Sequence, residues 1–291
     1  MSAKWSGRTK GSLLGYKFFV FCIRLFGVRF SYFFCFWVSG YFLFFAREQT
    51  KALFRFYLNG MQYPKWKAIK VTAKNYYRFG QVLIDRIALK TLRKKYFSHT
   101  FENEEVLHQM REKGKGGFLI SAHVGNWENA GNLVGERIAS KINIIMLDAE
   151  VEKIKGFIAK NTEEDNFSII PIKEDMSHLV LIHNALKRNE FIAVHADRFI
   201  EGHKFYNIPF FNGVAQFPAG PFILAHRFKV PVTFVFGLKI PTFSYALSAT
   251  DLMENLISPE EIAKNFVKRL EDIVRKTPEQ WFNFFEFYGN K

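Results

Sequence analysis

The chain has 291 residues, of which 48% are hydrophobic and 23% charged, a composition that excludes a disordered or low-complexity polypeptide. Its net charge of +14 is concentrated at one end. Nineteen of the 41 basic residues but only two of the 27 acids, Glu48 and Asp85, lie in the first 100 positions, so that third carries +17 and the remainder −3.

The two cysteines, Cys22 and Cys35, supply neither a disulfide framework nor a thiolate metal spacing, which suits a reducing compartment or burial in lipid. Phenylalanine is in excess, with 35 copies, many of them crowded into the first sixty positions. Positions 13–26 are apolar but contain Lys17 and Arg24, and 30–46 form an uncharged run bounded by Arg29 and Arg47. As a helix this run spans about 25 Å, slightly short of the roughly 30 Å hydrocarbon core of a bilayer. It starts late and lacks a small-x-small site, which argues against a cleaved signal peptide. Basic residues flank both sides, so loop charge gives no orientation. A membrane-anchoring helix that dips into one leaflet or makes a short span is expected. A buried helix of a soluble domain is the alternative, and it does not account for so many Phe beside Arg.

Positions 65–96 read as a helix, with Ile69, Tyr76, Phe79, Leu83 and Ile87 at helical spacing and mostly basic residues between them. Nucleic acid and an anionic membrane surface could both attract this charge. Large apolar residues interleaved with it favour the membrane, so no nucleic-acid partner is expected. Nothing in this third looks catalytic. Residues 1–100 are therefore expected to be a basic, Phe-rich, helical membrane-anchoring region, and 101–291 an α/β domain.

In the second region, strands are expected at 118–122, 142–147, 167–171, 191–195, 232–237 and 245–249. Helices are expected at 127–139, 151–161, 176–188, 219–227 and 260–276. The alternation predicts an α/β fold with a mixed, largely parallel sheet flanked by helices. The apolar run from Phe118 ends at His123, and Gly125 and Asn126 separate that histidine from Glu128. Positions five apart on a helix are rotated by about 140°, so the pair can meet only if His123 lies on a turn and Glu128 in the first helical turn. Gly125 would permit the bend, and Asn126 is a plausible N-cap. A histidine oriented by a carboxylate is a general base near neutral pH. Backbone amides at 125–127 are candidate oxyanion donors.

A second cluster follows another strand end: His195-Ala-Asp197-Arg198, then Ile208-Pro-Phe210-Phe211-Asn-Gly-Val-Ala215 and Pro218-Ala-Gly-Pro221. An arginine there suits a phosphate or carboxylate. Phe210 and Phe211 wall an apolar slot or fill the core. His195 and Asp197 alone do not make a metal site, since no third ligand stands at a recognisable spacing.

These motifs, in this order and with the terminal Pro278-Glu-Gln-Trp281, resemble the bacterial lipid A biosynthesis acyltransferases of the lysophospholipid acyltransferase superfamily. The resemblance covers nearly the whole chain. It implies a membrane-associated acyltransferase on the cytoplasmic side of the bacterial inner membrane. The acyl donor would be a thioester of acyl carrier protein or coenzyme A, the acceptor a hydroxyl of a lipid A precursor or related glycolipid, and no cofactor would be bound. It assigns His123 as base and Glu128 as its partner, with Asp197, Arg198, Gly125, Asn126, Phe210 and Phe211 around the substrates. The chain departs from the family at His195, where Gln or another polar residue is frequent, and after Trp281. An aminolipid or other lipid acceptor, by N- or O-acylation, therefore stays open. The absence of a Gly-x-Ser-x-Gly elbow agrees with direct transfer. A non-catalytic membrane-surface protein is the rival of another class.

Overall fold

The computed structural model describes residues 13–91, 97–127, 131, 134–135, 137–147, 167–173, 175–199, 202–241, 243–254 and 258–288. Helix α1 (Leu13–Phe45) carries the apolar run and is kinked at Gly27, whose φ of 81° leaves the helical region. Glycine adopts that value without a Cβ penalty. A short helix α2 (Arg47–Arg55) and one π-helical turn (Phe56–Gly60) lead into α3 (Lys65–Thr91), which packs along α1.

The body is a seven-stranded sheet with helices. Its strands are β1 (Ser98–Glu102), β2 (Gly117–Ser121), β3 (Ile142–Leu147), β4 (Phe167–Ile172), β5 (Phe191–His195), β8 (Val232–Ile240) and β9 (Ser244–Ala249), in the spatial order β1-β9-β8-β2-β5-β3-β4. Every neighbouring pair is parallel except β8 and β9. All five residues of β2 are buried, as a central strand covered on both faces requires.

Helix α4 (Glu105–Glu112) precedes β2, α5 (Ser177–Lys187) precedes β5, and α6 (Gly220–Phe228) precedes β8. The long α7 (Pro259–Lys276) starts at Ser258, whose side chain accepts the Glu261 amide hydrogen as an N-cap. Its apolar stripe Ile262, Phe266, Leu270 and Ile273 is buried, and Phe266 meets Phe222, Phe234 and Phe236. Burying side chains of this size contributes about 1.5–3 kcal/mol each.

The six expected strands are present. Two further features escaped the sequence reading. Strand β1 straddles the expected boundary at residue 100 and pairs with β9. The stretch read as a slot wall is a hairpin of β6 (Phe205–Phe210) and β7 (Gly213–Pro218), turning through Phe211 and Asn212 with φ of 50° at Phe211. The expected helix at 151–161 lies outside the described residues. Front and body also share one core, in which Leu53, Phe56, Tyr57 and Val71 join Phe118, Ile120, Phe217 and Trp281.

Candidate active site

Strands β2 and β5 lie side by side in parallel register, with Ser121 opposite His195. Two residues beyond each of these comes a polar side chain, His123 after β2 and Asp197 after β5. The topology thus delivers both to the carboxyl edge of the sheet, where open α/β sheets hold their ligands. Asp197 Oδ1 lies 2.7 Å from His123 Nδ1, and the His123 amide donates to Asp197 Oδ2 at 3.0 Å. Trp281 Nε1 donates to the same Oδ2 at 3.0 Å. The Asp197 side chain is 2% exposed and that of His123 20%, so the carboxylate lies behind the imidazole.

Burial alone would raise the Asp197 carboxyl. The charge of His123 and its hydrogen bond overcome this and, helped by Arg198, hold it well below the usual carboxylate range. Asp197 therefore stays ionised and fixes the tautomer that carries its proton on Nδ1. The His195 ring is 4.4 Å from that of His123 and 4.7 Å from Trp127, centroid to centroid. Burial, and then the charge of His123, hold His195 well below the ordinary histidine value. His195 is therefore held neutral beside His123, with the two rings tilted by 34°.

The turn after His123 needs its glycine. Gly125 has φ of 61°, and a Cβ there would lie 2.1 Å from the Gly237 carbonyl oxygen. Its amide donates to the Gln280 carbonyl at 2.9 Å, and the Asn126 amide donates to the Gly237 carbonyl at 2.8 Å. These two amides are committed to the fold, which withdraws them from the oxyanion role expected of them. Asn126 is fully buried, and helical residues begin at Trp127. Glu128 lies outside the described residues.

Arg198 stands beside Asp197 and donates to the Phe282 carbonyl at 3.3 Å. Phe210 is fully buried among Phe56, Phe217, Trp281 and Phe287, so it fills space instead of walling a slot. Phe211 sits on the hairpin turn, where its amide donates to Glu271 at 2.8 Å and Arg275 lies 5.0 Å over its ring. An apolar cavity does reach the site elsewhere. It lies between Leu119, Val134, Ile144, Ala193 and Val235 and reaches His195 and Trp127 at the carboxyl edge of the sheet.

The frame of the site comes from the end of the chain. Gln280 pairs with the Lys239 backbone through both amide and carbonyl at 2.8 Å, and Phe282 N–H donates to the His123 carbonyl at 3.0 Å. In the sequence, Pro278-Glu-Gln-Trp281 stands out only through the resemblance, since nothing local to it marks this framing role. Among the described residues, no cluster of three or more His, Cys, Asp or Glu could hold a metal.

A comparison with curated proteins finds no match. Residues 13–287 match the family model described as bacterial lipid A biosynthesis acyltransferase. That match takes in α1, the His123 turn, the Asp197 strand end and the terminal Trp281 frame together. An imidazole held by a buried carboxylate beside an apolar cavity is thus part of a whole-length likeness, and the chain belongs to the bacterial lipid A biosynthesis acyltransferase family of lipid-modifying acyltransferases.

Proposed function

We propose that this acyltransferase works at the cytoplasmic face of the bacterial inner membrane. It moves a fatty acyl group from a thioester of acyl carrier protein or coenzyme A to a hydroxyl of a lipid A precursor or related glycolipid. The observation that carries this reading is the His123–Asp197 pair opening beside an apolar cavity. With Nδ1 bonded to Asp197, His123 Nε2 takes the proton of the acceptor hydroxyl. The hydroxyl oxygen attacks the thioester carbonyl carbon, the carbon–sulfur bond breaks, and the proton passes from His123 to the departing thiolate. No acyl-enzyme is formed. Asp197 acts by orienting His123 and offsetting its positive charge. Glu128 keeps the role that the resemblance implies, that of a partner to His123 in the transfer. The acyl chain is assigned to the cavity lined by Leu119, Val134, Ile144 and Trp127, in place of Phe210 and Phe211. Arg198 is assigned to an anionic group of donor or acceptor.

Membrane association is supported by α1. Its Lys17–Phe45 stretch is long and apolar enough to cross a bilayer, and Phe33, Phe36, Trp37, Phe44 and Phe45 are 59–73% exposed on it. An apolar face of that size beside basic residues fits an anionic lipid surface. The test is transfer of labelled acyl groups from acyl carrier protein, and separately from coenzyme A, to a bacterial lipid extract. Wild type should label a glycolipid and His123→Ala should not. Equal labelling by the two proteins would sink the catalytic assignment, and label on an aminolipid would move the acceptor.

A further inference from the structure

The basic helix α3 turns two consecutive charged residues, Asp85 and Arg86, toward the body. Asp85 and Arg86 are consecutive, so they leave the helix about 100° apart, and each meets a different part of the body. Asp85 is buried against Lys239 of β8, with Nζ to Oδ2 at 2.5 Å and side-chain exposures of 0% and 2%. Tyr32 of α1 and Tyr245 of β9 both donate their hydroxyls to the same carboxylate. Arg86 turns toward the His123 turn. Its Nε is 3.4 Å from Asn126 Oδ1, and its guanidinium carbon is 5.1 Å from the Trp127 ring centroid.

We propose that Arg86 is a positioning residue for acyl transfer, contributed by the N-terminal helical region and acting through Asn126 and Trp127. This rests on the catalytic reading of His123 given above. Asn126 and Trp127 follow directly on the turn that sets His123, and Trp127 both touches His195 and lines the apolar cavity. A planar guanidinium can stack on the indole and hydrogen-bond the Asn126 carbonyl at once, which a flexible ammonium does less well. Asp85 fixes the helix from which Arg86 reaches. The front region then completes the active site as well as carrying the membrane-facing surface.

The experiment uses the full chain in phosphatidylethanolamine–phosphatidylglycerol vesicles, with twelve- and sixteen-carbon acyl carrier protein thioesters and bacterial lipid extract. Wild type, Arg86→Gln, Arg86→Lys, Arg78→Gln and His123→Ala are compared for kcat, KM, chain-length ratio, vesicle binding and Tm. Arg78 is the control because it lies on the same helix and donates to Gln81. The proposal expects Arg86→Gln to lose kcat at least tenfold and to change the chain-length ratio at least threefold, with vesicle binding and Tm close to wild type. Arg86→Lys should recover part of the rate. Arg78→Gln should stay within twofold of wild type. Wild-type kcat and chain-length ratio in Arg86→Gln, with His123→Ala inactive, would overturn this role alone. Equal losses in Arg78→Gln and Arg86→Gln would reduce it to a general charge effect and overturn it too. Full activity in His123→Ala would instead remove the catalytic reading beneath it. If Arg86→Gln fails to fold, Arg86→Lys decides by the same chain-length ratio.

Discussion

The front and body of this protein use the same kinds of residue in opposite ways. In the body, His123 and Asp197 sit two residues beyond the ends of β2 and β5. In the front, basic residues of similar spacing fall into two physical classes. Lys65, Lys70 and Lys74 are exposed, whereas Arg86 turns inward to Asn126 and Trp127. Net charge tells where a segment goes, and it averages away the single charge that does something else. Asp85, one of only two acids in the first 100 residues, is the exception that anchors α3 to the sheet.

The largest expected effect lies in the body. Asp197→Asn removes the charge behind His123 and leaves an amide that can present the wrong tautomer, so kcat should fall on the order of 10²–10⁴-fold. Steady-state rates with Tm held within a few degrees of wild type check this. A fall below tenfold would return the orienting role to Glu128. At the joint between the regions, Lys239→Met leaves Asp85 buried without its cation and should cost about 3–5 kcal/mol of stability. Adding Asp85→Asn should recover part of that loss, as chemical denaturation of both variants would reveal. If the two substitutions simply add, the pair does not hold front to body.

The smallest effect is a pH slope at His195. Its folded value lies below the ordinary 6.5, so between the two values the unfolded chain binds a proton that the folded chain refuses. Stability from this group is therefore complete above pH 6.5 and declines as pH falls toward the folded value, by at most about 1.4 kcal/mol per pH unit. The difference in stability between wild type and His195→Gln should show that slope. A difference independent of pH below 6.5 would mean that His195 is not held neutral.

Much of the sheet was legible because buried parallel strands leave continuous apolar runs, as Phe118-Leu-Ile and Phe191-Ile-Ala-Val do. His123 and Asp197 were legible as strand-end residues, and Gly125 as a bend. Their mutual contact was not, because it depends on β2 and β5 being neighbours in a register that nothing local encodes. Phe210 was ambiguous for a related reason, since one Phe-Phe pattern serves a slot or a core. Arg86, Gln280 and Trp281 act through partners at separations of 40, 41 and 84 residues, beyond the reach of any periodicity.

The terminal segment has a consequence for the order of events during synthesis. Helix α1 is synthesised long before the Trp281 indole that steadies Asp197. Asp85 likewise waits for Lys239 and Tyr245. The arrangement at His123 is thus assembled only after the segment around Trp281 has joined it, long after α1 and α3 have been made.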